Sequence, residues 1–398
     1  MKAVILAAGQ GIRMKPLTDT MPKPLIHVCG KPFLYYIIKN IQKAGIKEIG
    51  IVAGYKEELI REFIIKNKIK AEVIVQHERK GTGHALSVAE DFCGKDDILV
   101  VNGDDLYNPA DIEEMSKQEG NVIAGLKHEH PEKYGVLLEE KGILKKIIEK
   151  PTEFVGNLVN IGLYKFTNEI FNALKKIKLS PRNELEITDA VTILAQTGKV
   201  KVHQMKGFWI PMGYPWEVLN VNKAILDSLD EKVEGIVEPN VTIKGKLILG
   251  KNSVIKSGSY IEGPVYIGEN CEIGPNAYLR AYTSLSDNTK VGASCEVKNS
   301  VVMSGSKIPH HNYVGDSVIG FNCNLGAGTK IANLRYDHKN IKCAGVDTGL
   351  VKLGVIMADN VQTGVNSSLM PGIKLSSGTL IFPNAVVFKD TEINGIVK

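Results

Sequence analysis

Two stretches of this chain hold residues whose types and spacing suit chemistry. Residues 6–26 read LAAGQGIRMKPLTDTMPKPLI, with glycines at 9 and 11 followed by Arg13, Lys15 and Lys23. Amides freed by glycine can wrap phosphate oxygens, and fixed cations neutralise the charge that builds up as a phosphoryl group transfers. A Gly-x-Gly alone is usually only a turn, but the combined pattern GxGxRMxP…PKP is far more specific. Acids follow in NGDD, residues 102–105, although a carboxylate after a strand is more often a helix cap or turn former than a metal ligand. The second stretch, KIPHHNYVGDS at 307–317, sets two of the nine histidines side by side. Histidine titrates in the range needed to take a proton from an amine nucleophile. Considered alone, such a histidine would more often cap a turn.

These residues need two kinds of scaffold. Up to about residue 228, short β-branched runs alternate with amphipathic segments: KAVILAAG, FLYYIIKNIQKAG, IKEIGIVAGY, KEELIREFIIKN, DDILVVNGDDLY. That alternation predicts a layered α/β domain with a Rossmann-like mixed sheet, mostly parallel, in which ligands sit beyond the carboxyl ends of the strands. The glycine loop and the acids both fall there. From Ile243 an aliphatic residue returns every six positions, through Leu249, Ile255, Ile261, Ile267, Ile273, Leu279, Leu285 and Val291 to Val297, often followed by glycine. A six-residue period is the signature of a parallel β-helix of hexapeptides. The register slips between Val314 and Ile319, resumes at Leu325 and Ile331, breaks across 333–351, and returns at Val355, Val361 and Ile373. The break marks an inserted loop, and PWEVLNVNKAILDSLDEKV reads as a linking helix. The expected domains are 1–228 and 229–398.

Composition sets the class. A chain of 398 residues implies two or three domains, and 43% hydrophobic with 23% charged residues implies a globular protein. The net charge of +5, from 49 basic and 44 acidic residues with no long run of one sign, gives no reason to expect nucleic acid or a membrane as partner. Six scattered cysteines without C-x-x-C argue against a zinc cluster or a disulfide scaffold and fit a reducing cytoplasm. The first apolar run passes straight into a glycine loop and is neither a signal peptide nor a membrane span.

The glycine loop resembles the signature of sugar-1-phosphate nucleotidylyltransferases. The resemblance continues through QHERKGTGHAL (76–86), NGDD, YGV (134–136), EKP (149–151), NIGLY (160–164) and ELEITDA (184–190). It implies that Leu6, Ala8, Gly9, Gly11 and Arg13 hold a nucleotide, that Lys23 bridges phosphates, and that Arg13 and Lys23 act in catalysis. It further implies that Gln76, Gly81 and Thr82 read a pyrimidine base, that Asp104 binds Mg2+ while Asp105 forms the turn or supports it, and that Gly135, Glu149, Lys150 and Asn160 hold the sugar. The chemistry implied is attack by a sugar phosphate oxygen on the α-phosphorus of a nucleoside triphosphate. One departure stands out. Many relatives carry W-x-D-x-G-x-P-W with a second magnesium-binding aspartate, whereas residues 209–216 read WIPMGYPW, with Pro211 at that position.

The β-helix with SK-x-x-H-x-x-Y-x-GD resembles the acetyltransferase half of the bifunctional enzymes that acetylate glucosamine-1-phosphate and then uridylylate the product. It implies that His310 is the catalytic base, with His311 left to packing or the surface. Tyr313 and Asn333 would contact the amino sugar, Arg280, Lys298 and Lys339 its phosphate, and amides near Ala327 the acetyl-CoA. The loop at 333–350 looks more like archaeal members than bacterial ones. The resemblance also implies a homotrimer working on small molecules in the cytoplasm. Three readings remain: both activities; a nucleotidylyltransferase whose β-helix serves assembly or regulation; or an acetyltransferase whose first domain is dead at Pro211. The sugar, and the choice between uracil and thymine, stay open.

Overall fold

The computed structural model describes residues 1–398. It divides into two compact units, one of Met1–Gln10, Pro22–Leu25 and Leu34–Pro211, the other of Gly11–Met21, Ile26–Phe33 and Met212–Lys398.

The first unit is built on a nine-stranded sheet. The almost wholly buried strand Lys2–Ala7 lies between Ile49–Ala53 and Ile98–Asn102, parallel to both. The parallel arrangement continues to Glu72–Val75. Beyond Ile98–Asn102 the pairing is mostly antiparallel: Leu158–Phe166 runs antiparallel to that strand and to Asn121–Lys127, and Gly135–Glu140 pairs antiparallel with Ile143–Glu149, while Val200–Gln204 lies parallel to Asn121–Lys127. The sheet is mixed, as expected, although fewer of its pairings are parallel than the alternation of strands and helices suggests. A local cause is legible at the hairpin, where Lys141 and Gly142 both take positive φ, 53° and 77°. Such a pair makes the tight turn that matches strand twist.

The second unit is a left-handed parallel β-helix with three faces. Inward residues stack coil upon coil, with Leu249, Ile267, Leu285, Val302, Ile319, Met357 and Leu375 on one face. Ile255, Ile273, Val291 and Ile308 start the second, and Ile261, Leu279, Val297 and Val314 the third. These side chains are fully buried or nearly so. Each coil turns at residues that tolerate left-handed backbone, which asparagine and glycine adopt most readily. One corner carries Asn276, Ser294, His311, Gly328 and Asn366 at φ between 52° and 76°.

Two corrections to the register follow. A second slip, between Val297 and Val302, precedes the one between Val314 and Ile319, so two successive coils are each a residue short. After the insertion the strand residues are Met357, Thr363 and Leu375. Val355, Val361 and Ile373 instead fill the buried position two residues earlier, which other coils give to Ser253, Cys271, Ala277, Cys295 and Cys323. Both positions face inward, so when both are aliphatic the period alone does not distinguish them. The insertion itself carries a short hairpin of Lys342–Cys343 and Val346–Asp347. The linking helix is Val218–Ser228, and Lys246 Nζ donates to the carbonyls of Leu226, Asp227 and Leu229 at its end.

Ile273→Ala should lower unfolding stability by about 2–5 kcal/mol, the usual cost of a buried cavity. A denaturation midpoint equal to wild type would contradict a packed coil at Ile273.

Candidate active sites

Strand Lys2–Ala7 delivers the first half of the glycine loop into a crowded floor. A Cβ on Gly54 would stand 2.9 Å from the carbonyl of Ala8, and one on Gly103 2.9 Å from that of Leu6, to which the Gly103 amide already donates. Above that floor the space opens, because a Cβ on Gly9 would meet nothing within 4 Å. The chain's own packing does not demand that glycine, while a ligand lying against the backbone would. Lys23, 7% exposed, donates from Nζ to Asp104 Oδ2 at 2.6 Å. A buried ammonium needs such a partner.

Gln76 is buried at the end of its strand. Its Nε2 donates to the carbonyl of Gly81 at 3.2 Å and lies 2.9 Å from His84 Nδ1. Gly81 is left-handed, φ 98°, and a Cβ there would come within 2.6 Å of the Leu185 carbonyl. GTGHAL and ELEITDA are thus pressed together. Thr82 Oγ1 accepts from Ile187 N at 3.1 Å, opening the helix Ile187–Ala195, a tie that no spacing in the sequence announces.

The residues read as sugar-binding lie on the antiparallel part of the sheet. Gly135 pairs with Glu149, and a Cβ on it would approach Glu149 Oε2 to 2.7 Å. The Lys150 amide donates to the Tyr134 carbonyl. Asn160 donates to Tyr164 Oη at 2.9 Å and accepts from Gly162 N at 3.0 Å. Gly162, φ 73°, leaves no room for a Cβ beside the Asn102 amide, which brings NIGLY against NGDD. Glu149 and Lys150 border a cleft with Arg182, Glu186 and Asp189, in which Arg182 pairs with Glu186 through two bonds of 2.5 and 3.1 Å.

In the second unit, Arg13 lies with its guanidinium 5.1 Å from the centroid of the Tyr214 ring. The His310 and Ala327 positions are consecutive rungs of one β-helix corner. His311 N donates to Ala293 O, Gly328 N to His310 O, and Asn366 N to Ala327 O. His310 is exposed. His311 is exposed too and takes the left-handed corner position that neighbouring coils give to serine, glycine or asparagine, so the backbone divides the pair into a strand-end residue and a turn residue. On the next face Asn333 Nδ2 donates to Tyr313 Oη at 3.2 Å and to Asp316 Oδ2 at 2.5 Å. Asp316 also accepts from Lys298 at 3.4 Å and from Asn299 at 2.7 Å. Gly315 is required here, since a Cβ would stand 2.6 Å from Asn333 Nδ2. Arg280 pairs with Glu296 at 3.0 Å and, with Lys298, Asp316, Tyr282 and Lys223, lines a hollow. Lys339 sits in the insertion, its amide bonded to Asp337 Oδ1. Asp316, the hub of this network, was not singled out in the sequence; the closing D of YVGD was its signal.

No group of three or more His, Cys, Asp or Glu could hold a metal unaided. Asp104 nonetheless suits magnesium, which commonly binds one or two carboxylates plus substrate phosphates and water. Asp105 is a different kind of acid. It is buried, accepts from Asn102 Nδ2 at 3.0 Å, and stands opposite Pro211 where Trp209–Pro211 pairs with Asp105–Tyr107. Burial first, then the neighbouring Asp104, pushes its carboxyl above the ordinary value of 3.8. A folded state that keeps a proton the unfolded chain releases loses stability as pH rises from there towards the raised value. Asp105→Asn, which mimics the protonated acid, should flatten that fall in unfolding stability across the window; an unaltered slope would contradict it.

Comparison with known proteins bears on both units. Residues 2–228 match the Nucleotidyl transferase family model and residues 261–397 the GMPPB C-terminal domain. The chain is 45% identical to the Bifunctional sugar-1-phosphate nucleotidylyltransferase/acetyltransferase of Sulfurisphaera tokodaii, covering 98% of each chain. It is 47% identical to the Bifunctional protein GlmU of Methanococcus maripaludis, over 100% of this chain and 97% of the relative. A solved UDP-glucose pyrophosphorylase complexed with UDP-glucose aligns at TM-score 0.52 and 27% identity, over 57% of this chain and 99% of its own. Because similarity to the archaeal relatives runs through sheet and β-helix alike, the chain belongs to the family of bifunctional sugar-1-phosphate nucleotidylyltransferase/acetyltransferases.

Proposed function

We propose that the chain makes a nucleotide sugar in two steps, on domains 1–228 and 229–398. The β-helix acetylates glucosamine-1-phosphate, or another amino sugar-1-phosphate, with acetyl-CoA. The N-terminal domain transfers UMP, or dTMP, from the nucleoside triphosphate to a sugar-1-phosphate. The observation that carries the reading is the β-helix arrangement: His310 and Ala327 on adjoining rungs of a corner, and Tyr313, Asn333, Asp316 and Lys298 joined on the following face.

In acetyl transfer, His310 takes a proton from the substrate ammonium. The freed amine attacks the thioester carbonyl, amides near Ala327 receive the oxyanion, and the tetrahedral adduct collapses to the amide as the C–S bond breaks, its extra N–H proton passing to the departing CoA sulfur. Asn333 and Tyr313 orient the sugar, and Arg280 and Lys298 meet its phosphate. In nucleotidyl transfer, an oxygen of the sugar phosphate attacks the α-phosphorus and pyrophosphate leaves. Leu6, Ala8, Gly9 and Gly11 bound the nucleotide; Arg13 and Lys23 neutralise its phosphates; Gln76 and Gly81 face the base, and Thr82 holds the segment that does. Gly135, Glu149, Lys150 and Asn160 form the sugar side. Asp104 would hold magnesium, which when bound supplies charge neutralisation on the phosphates. Lys23 Nζ donates to Asp104 Oδ2, so a bound magnesium would share this carboxylate with the lysine.

We place the enzyme in the cytoplasm as a homotrimer. No disulfide joins the six cysteines, which are all buried, and no helix is long and apolar enough to cross a membrane. Val365, on the rung above Ala327, and Phe382 and Phe388 nearby in sequence are exposed apolar residues. They offer a surface for neighbouring copies.

The C-terminal match to a domain named for another protein favours one second reading, a β-helix that serves assembly alone. The variant His310→Ala separates the two. It should cut thiol release from acetyl-CoA with glucosamine-1-phosphate by about 10²- to 10⁴-fold while pyrophosphate release from UTP continues. Unchanged thiol release, or none from wild type, would reduce the histidine to structure. Pro211→Asp should lower the magnesium concentration that half-saturates nucleotidyl transfer, by adding the carboxylate that relatives carry. An unshifted magnesium titration would show that Pro211 does not limit metal binding.

A further inference from the structure

We infer that the β-helix positions the second half of the glycine loop through a bond between Thr20 and Asp359, so that nucleotide binding depends on a residue of the β-helix. This rests on the reading of residues 6–23 as the nucleotide site. Gly11–Met21 belongs to the same compact unit as the β-helix. The segment is internally stiff: Met14, Leu17 and Thr18 are buried, Thr18 Oγ1 donates to the Gly11 carbonyl at 2.9 Å, and Lys15 pairs with Asp19 at 3.2 Å. At its far end Thr20 Oγ1 donates to Asp359 Oδ2 at 2.6 Å. A hydroxyl bonded to a carboxylate is among the stronger hydrogen bonds a protein makes.

Asp359 has two functions, and one of them has an internal comparison. Its Oδ1 accepts from Phe321 N at 2.9 Å and closes a coil corner. Asp287 sits at the equivalent corner, two residues after Leu285 as Asp359 is two after Met357, and its Oδ1 accepts from Glu269 N at 2.8 Å. Closing the corner therefore needs one carboxylate oxygen. The second oxygen of Asp359 is what the loop segment uses. The following segment, Ile26–Phe33, is seated on the same scaffold. His27 meets Phe321 edge-on with centroids 4.9 Å apart, and Gly30, φ 70°, leaves no space for a side chain beside Tyr266. Gly11 and Arg13, the phosphate-facing members of the loop, are thus carried on a stiff segment tied down at Thr20.

The test uses the full chain. Thr20→Val keeps the shape and removes the donor, leaving the corner bond of Asp359 intact. It should raise KM for UTP about tenfold, in line with loss of one charge-assisted bond, with acetyl transfer unaltered. Thr20→Ser should restore the wild-type KM, as a role in packing the methyl group would not predict. Asp359→Asn keeps the corner acceptor but presents an amide, and should raise KM in the same direction, whereas Asp287→Asn should not. A wild-type KM in Thr20→Val, or a loss of both activities that Thr20→Ser fails to rescue, would overturn the inference. Absence of pyrophosphate release from the wild-type protein would overturn the underlying reading of the loop, a distinguishable result.

Discussion

Coil closure is the constraint on which the β-helix depends. Each coil must bury an aliphatic side chain on every face and turn at residues that accept positive φ. Whatever lies between those two fixed requirements is free to carry chemistry. His311 meets the turn requirement, and His310 stands at the strand end beside it, both side chains exposed. Gly315 is glycine because Asn333 and Tyr313 crowd its face, and Asp316, itself left-handed, collects Lys298, Asn299 and Asn333. The proposed acetyl-transfer site is thus built from the solvent side of positions that the fold already needs.

The sheet unit solves a different problem. Its strands bring three glycine-dependent approaches together: Gly103 beneath Leu6, Gly162 against Asn102, and Gly81 against Leu185. Each lets one motif lie closer to another than a side chain would permit. The acids there are divided by environment. Asp104 is half-exposed and available to phosphate chemistry, whereas Asp105 is buried among polar groups opposite Pro211.

The sequence made some of this visible and hid the rest for physical reasons. A six-residue period cannot be satisfied by helix or hairpin, so the β-helix and its ten leading rungs were readable without coordinates. The second register slip was hidden because Val302 and Met303, which continue the period after Val297 with and without the slip, are both apolar and both buried. The offset at Val355, Val361 and Ile373 arose likewise from two inward positions of similar type. Motif residues such as Gln76, Asp104, His310 and Tyr313 were named through the family resemblance that their motifs carry. The bonds of Thr82 to Ile187, Asp316 to Asn333 and Thr20 to Asp359 join residues from 17 to 339 positions apart, and no local pattern encodes such distances. Lys339 was named through that resemblance too, and it lies in the insertion.

The central claim is that one chain both acetylates an amino sugar phosphate and attaches a nucleotide to the product. The most direct measurement supplies a single preparation with glucosamine-1-phosphate, acetyl-labelled acetyl-CoA, UTP and magnesium, and asks where the label goes. The account predicts labelled acetyl in a nucleotide sugar, with pyrophosphate and free thiol formed together. Pyrophosphate released without any label in the nucleotide sugar would contradict it.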